Sequence, residues 1–334
     1  MLIAHAHAAR TLAVCTGSED RLPTRLPAQL PAWLPLSAVT DAAERLAGHI
    51  VRTPLLHAPA LNLASGCDLW LKAETFQATG AFKERGALNR LLRLTAPERA
   101  GGVVAMSAGN HAQGVALHAR RLGVKAVIVM PVTAPRCKVD RTAALGAEVV
   151  LHGANVGEAK GRALELAAER RLTFVHPYDD PDVIAGQGTV GLEILADRPD
   201  VETLVVPVGG GGLLAGIAAA AKTLKPSVRV IGVRLARRGG PTLADGINVH
   251  ALGKLPQEVA ATLVDRVVEV EEGEIAAAMR ALHGSFGVVA EGAGAAAVAG
   301  VLSGRVGRRT GRTVAVLSGR NVDGDTLART LAAA

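Results

Sequence analysis

The chain has 334 residues, a formal charge of +7 and 49 % hydrophobic residues, a length that suits one large α/β domain or two intertwined lobes. Its hydrophobic residues come in short runs, none near the roughly 20 uncharged residues that a bilayer crossing takes, so a soluble protein with no membrane partner is expected. Lys and Arg are scattered among 30 acids and aromatics make up 2 %, which argues against nucleic acid as a partner, and Cys15, Cys67 and Cys137 are odd in number without CxxC spacing, which argues against a disulfide framework or a zinc site and suits a reducing cytoplasm.

In chain order, residues 1–35 come first. LPTRLPAQLPAWLPLS repeats Leu-Pro at short intervals, which blocks helix and sheet and predicts an extended, poorly ordered lead-in. MLIAHAHAARTLAV at its head is too polar for a signal peptide, and His5 and His7 have no third ligand nearby to make them a metal pair. From Leu36 the pattern turns α/β. LSAVTDAAERLAGHI has helical spacing, LWLKA (69–73) reads as a strand and AFKERGALNRLLRL as an amphipathic helix. GVVAMSAGNHAQGVALHARRLG runs strand, turn, helix; VKAVIVMP with PRCKVDRTAALGA repeats the unit, and AEVVLHG with EAKGRALELAAERR repeats it again. TLVVPV, LLAGIAAAAKTLKP, VRVIGV and TVAVLSG follow. This succession predicts parallel sheet covered by helices on both faces, in two lobes.

Three turns carry chemistry. Gly209, Gly210, Gly211 and Gly212 stand between a buried strand and an Ala-rich helix, where unpaired N–H groups suit a phosphate. A dinucleotide loop and a tight packing turn are the alternatives, and the place of a ribose-binding acid is taken by Arg234. In SAGNHAQG, Ser107, Asn110 and His111 offer donors at a helix start, fit for a carboxylate or for simple capping. In TGAFKERGA, Lys83 sits in a first helical turn, where its charge opposes the macrodipole. Covalent capture of an aldehyde by its neutral amine explains that placement, with Phe82 covering one face of a flat ring. A structural pairing of Lys83 with Glu74 or Glu84 is the alternative.

KAETFQATGAFKERGA, SAGNHAQGVA, HPYDDPDVIAGQGTVGLEIL, PVGGGGLLAGIA, TLADGINV, EGAGAAAVAG and LSGRNVD, in this order from Arg52 to Asp323, resemble the pyridoxal-phosphate-dependent serine/threonine dehydratases of fold type II, a family that includes serine racemase. The resemblance implies an α/β fold of two parallel-sheet lobes like the tryptophan synthase β chain: a large lobe of residues 36–104 and 181–334, a small mobile lobe of 105–180, and no C-terminal regulatory domain. It implies pyridoxal 5'-phosphate on Lys83, its ring beside Phe82, its ring oxygen bonded by Asn110, its pyridine nitrogen facing Ser318, its phosphate on Gly209 to Leu213, and Glu291 among its neighbours. The substrate falls to Thr79, Ser107, Ala108, Gly109 and His111. A homodimer is implied as well.

A serine at the pyridine nitrogen does not favour a protonated ring, so elimination is favoured over reactions that need a long-lived carbanion. The expected reaction removes water from a threonine- or serine-type amino acid, with Lys83 taking the α-proton, and yields a 2-oxo acid and ammonia. Alternatives are another hydroxy amino acid (3-hydroxyaspartate or a hydroxyectoine-derived compound), an inactive cofactor-binding homologue, and a cysteine synthase, whose asparagine-rich lysine motif residues 77–85 lack. Three departures from the family stand out. Ala108 replaces the second serine of racemases. Arg234 replaces a metal-binding acid ahead of a shortened stretch, so no metal is expected; it either braces that stretch through carbonyls or Asp245 or is a solvent-facing strand end. Arg320 interrupts the usual SGGN and either crowds the cofactor or reaches towards an acidic substrate.

Overall fold

The computed structural model describes residues 30–308 and 310–333. Most of the expected lead-in lies outside them. Its last residues are not loose, however: Leu34 is fully buried in the core, and Trp33 Nε1 donates to Glu258 Oε2 at 3.1 Å. An apolar side chain this close to the first helix gains more from burial than the prolines cost, since they only exclude regular structure.

The strands form two sheets. In the larger, β1 (Leu55–His57) pairs antiparallel with β2 (Asp68–Ala73), and β10 (Arg312–Leu317), β7 (Thr203–Pro207), β8 (Arg229–Leu235) and β9 (Arg266–Val270) continue it in parallel, in the order β1-β2-β10-β7-β8-β9. In the smaller, β3 (Val103–Met106), β4 (Ala126–Met130), β5 (Glu148–Leu151) and β6 (Thr173–Phe174) run parallel in the order β5-β4-β3-β6. Among the described residues the helices are α1 (Leu36–Leu46), α2 (Pro59–Ser65), α3 (Lys83–Leu92), α4 (Ala96–Gly101), α5 (Asn110–Arg121), α6 (Arg136–Ala144), α7 (Val156–Arg170), α8 (Pro181–Asp197), α9 (Gly212–Leu224), α10 (Lys254–Leu263), α11 (Glu272–Phe286), α12 (Gly292–Leu302) and α13 (Gly324–Ala332). β7 is buried at every residue, and β10 at all but its first, because helices cover both faces.

The expected division at residue 105 falls inside β3, whose register with β4 and β6 starts at Val103. α3 is also shared between the lobes. Its Ala87 and Leu91 enter the core of the smaller sheet with Val115 and Ile128, while its N-terminal part is held in the larger lobe by buried charges. Arg85 donates to both carboxylate oxygens of Glu74 at 2.7 Å and to Glu193 on α8 at 2.7 Å, and Lys72 on β2 pairs with Glu193 as well. Two cations offset two carboxylates, and this balance is what lets Arg85, Lys72 and Glu74 be fully buried.

Candidate active site

Lys83 opens α3, and the turn before it is stitched to the end of β10. Ala81 bridges Gly319, Phe82 N–H donates to Ser318 O at 3.0 Å, and Arg320 N–H donates to Gly80 O at 2.9 Å. Gly80 has φ +76°, a conformation that a side chain would strain. Asn321 Nδ2 donates to Thr79 O and to Asn110 Oδ1, both at 2.7 Å. Three motifs distant in sequence thus meet within a few ångströms.

The Lys83 amine pairs with neither Glu74 nor Glu84. Glu74 is taken by Arg85, and Glu84 accepts from Thr79 N–H and lies 3.1 Å from His118 Nε2. Lys83 Nζ donates instead to the carbonyl of Pro177 at 2.7 Å and lies 5.1 Å from the centre of the Phe82 ring. With no carboxylate to stabilise its charge, desolvation pushes the amine down to about 8. At neutral pH a useful fraction is the nucleophilic free base.

The Pro177 carbonyl is set by the HPYDDP turn, in which successive residues make separate fixings. His176 Nδ1 accepts from Asp179 N–H at 2.9 Å and from Tyr178 N–H at 3.3 Å. Asp179 accepts from the N–H groups of Lys254 and Leu255, at 3.1 and 2.8 Å, and so caps α10, while Asp180 caps α8 through Val183 N–H at 2.9 Å. The motif was visible in the sequence; that Pro177, Tyr178 and Asp179 serve the site was not, because their partners lie on remote elements.

The glycine turn fits an anion. The N–H groups of Gly209, Gly210, Gly211 and Gly212 find no acceptor among the described residues. Gly211 adopts φ +92° as the N-cap of α9, and a Cβ on Gly210 would lie 2.3 Å from the Tyr178 ring. Close approach on both sides, and not conformational freedom alone, explains the run of glycines. Leu213 is buried in the first turn of α9.

Asn110 Nδ2 donates to Glu291 Oε1 at 2.5 Å, and burial pushes the Glu291 carboxyl up to about 7. Ser318 is buried, its hydroxyl 3.4 Å from Ala293 O. Thr79 Oγ1 is buried without a partner among the described residues. Ser107 Oγ accepts from Gly109 N–H at 3.1 Å, closing the turn that leads into α5, and Ala108 beside it is half-buried without a polar group. His111 departs from expectation. Its ring points away from that turn, with Nε2 donating to Val175 O at 3.1 Å and Nδ1 buried without a partner. Burial in the core of the smaller lobe, with Lys83 nearby, pushes the imidazole down to about 3, so only its backbone remains for a carboxylate.

One other expectation is corrected. Arg234 does not reach Asp245. It donates to Glu269 Oε1 at 2.7 and 3.0 Å, because β8 and β9 place the two residues side by side. Asp245 pairs instead with Lys138 on α6. Arg320 is exposed and packs against the Gly80 turn, its Cγ and Nε 3.0 Å from where a Gly80 Cβ would stand.

Residues 46–319 match the family model described as pyridoxal-phosphate dependent enzyme. The chain is 45 % identical over 304 residues to an L-threonine ammonia-lyase of Thermotoga maritima, covering 86 % of this chain and 76 % of that one. It is 44 % identical over 303 residues to the catabolic L-threonine dehydratase TdcB of Escherichia coli, covering 85 % and 92 %. The fold superimposes on maize serine racemase with a TM-score of 0.85 and 32 % identity, over 89 % of this chain and 97 % of that one. The chain therefore belongs to the pyridoxal-phosphate-dependent enzymes, with the fold type II architecture. The residues present suit that cofactor: a desolvated amine for its aldehyde, N–H groups without an acceptor among the described residues for its phosphate, and Ser318, just after β10, for its ring nitrogen.

Proposed function

We propose that the protein eliminates water from a β-hydroxy amino acid of the threonine or serine type, releasing a 2-oxo acid and ammonia. The observation that carries this reading is the Lys83 amine, unpaired with a carboxylate among the described residues, pushed down to about 8 and bonded to Pro177 O, next to the Tyr178 that packs on the glycine turn. Its relatives named for threonine support the substrate class. Bound pyridoxal phosphate supplies an electron sink for the bond broken at the α-carbon. Lys83 would hold it, and the same amine would take the α-proton, since an amine near pKa 8 can both accept and return a proton at neutral pH. Gly209 to Leu213 would bind the phosphate, Asn110 would hold the ring oxygen, and Ser318 at the ring nitrogen would not favour its protonation. Phe82 lies beside the amine and covers the ring. Backbone donors from Ser107 to His111, with Thr79, take the substrate carboxylate. Ala108 has no proton to give from the opposite face, so inversion of the α-carbon is slow.

The smaller lobe closes on substrate in this reading, and the protein works as a cytoplasmic homodimer. Among the described residues no helix is long and apolar enough to cross a membrane. The test is a panel of threonine, serine and 3-hydroxyaspartate scored for 2-oxo acid and ammonia. Threonine or serine turnover is expected, with recovered L-serine enantiomerically pure. No ammonia from any of them would overturn the reading, and D-serine would show that another residue serves the second face.

A further inference from the structure

Around the site, one charged side chain of the smaller lobe reaches across to the larger one and is not used by the chemistry above. On α6, Arg136 pairs with Asp140 of its own helix and is largely exposed. Lys138 instead leaves its helix and pairs with Asp245, 107 residues away in sequence, on the short turn Asp245–Ile247. Its side chain is only 20 % exposed.

The turn it grips is wedged between two parts of the site. Gly246 O stands 3.1 Å from where a Cβ on Gly209 would be, and Leu243 O stands 2.3 Å from that position on Gly292. Residues 243–247 therefore pack against both the phosphate cradle and the first turn of α12. Glu291 is the N-cap of α12, and its buried carboxyl is bonded to Asn110. Among the described residues, the charged groups acting on Glu291 are Asp245, which favours its protonated form, and Lys138, which favours its carboxylate.

We propose that Lys138 is a positioning residue for the reaction: through Asp245 it holds the 243–247 turn against the phosphate cradle and against the helix start that carries Glu291. The role rests on the elimination reading for its purpose, but it is tested without turnover. Hydrogen exchange of the 243–247 amides, and the pH titration of the cofactor's visible absorbance, are measured on the loaded enzyme. In Lys138→Met the turn loses its anchor, and exchange there rises about tenfold if the pair holds one local opening equilibrium. The inflection from Glu291 moves to higher pH, because the charge that favoured the carboxylate is gone. Lys138→Arg keeps both readouts as in the parent. Lys138→Asp combined with Asp245→Lys restores slow exchange but moves the inflection to lower pH, since the cation now sits on the turn beside Glu291. The melting temperature changes by no more than about 2 °C in each, as befits a partly exposed pair, so misfolding is told apart from loss of position. Unchanged exchange in Lys138→Met overturns the positioning role. An inflection absent from the parent, or unmoved in both Lys138→Met and the swap, overturns the link to Glu291. Absence of ammonia release with both readouts as expected would instead indict the elimination reading alone.

Discussion

A lysine in the first turn of a helix works against the helix dipole, and Lys83 is further penalised by desolvation without a counter-ion. Both effects favour the neutral amine, which is the form that attacks an aldehyde. Capture of pyridoxal phosphate by cofactor-free protein should therefore speed up as pH rises, about tenfold per unit below pH 8, and level off above it. Stopped-flow absorbance measures this, and a rate that goes on rising tenfold per unit from pH 8 to 10 would contradict the depressed amine. Lys83→Ala should abolish both the visible band and elimination, and a normal band in that variant would defeat the assignment. His111 carries the opposite kind of consequence. Its folded-state value near 3 lies below the unfolded value of 6.5, so below pH 6.5 the unfolded chain binds a proton that the folded chain refuses. Stability is lost as pH falls from 6.5 towards 3, by up to roughly 1.4 kcal/mol per unit. Urea titrations of His111→Gln, read against the parent from pH 6.5 to 4.5, should show a shallower loss. Arg234 is a surface matter: its pair with Glu269 is more than a third exposed on both sides, and Arg234→Ala should cost no more than about 1 kcal/mol.

At the scale of elements, the site depends on helix starts held by side chains from elsewhere. Asp179 is the clearest case, since it caps α10 from a turn 75 residues earlier in the chain. Asp179→Ala should remove about 1 kcal/mol of stability and also release the turn that presents Pro177 O to Lys83. Calorimetry reads the first effect and cofactor dissociation the second; a loss of stability with unchanged cofactor affinity would mean that the turn is held without Asp179. The N-terminus of α9 is left uncapped by any side chain, and its glycines are packed on the other side by Tyr178, Leu252 and Pro256. A side chain at Gly210 would have to displace the Tyr178 ring. HPYDDP and GGGG each look like local turns in the sequence, but they are the two halves of one contact.

For the molecule as a whole, the cluster of Arg85, Lys72, Glu74 and Glu193 ties β2, α3 and α8 together two residues beyond Lys83. Arg85→Met would leave Glu74 buried without its partner, at a cost of about 3 to 5 kcal/mol. Denaturant unfolding should show this as a large drop in midpoint. A variant as stable as the parent would mean that water reaches Glu74 and that the cluster is not closed.

The strand-turn-helix succession, the parallel sheets, Lys83 and the glycine turn were all legible in the residue order, because each is a local pattern: period, punctuation by glycine, and a charge at a helix start. Pairings between remote segments were not. Arg234 was open between bracing carbonyls or Asp245 and a solvent-facing strand end; β-register sets it beside Glu269, and Asp245 pairs with Lys138. His111 was read as a donor in its turn, yet the packing of α5 swings its ring to Val175. The expected division at residue 105 falls within β3, whose pairing starts at Val103, a register that residue order does not give. Local order sets which groups are available, since it acts through neighbours in the chain. Which of them meet depends on how strands align and helices pack, and that is decided by burial summed over the whole core.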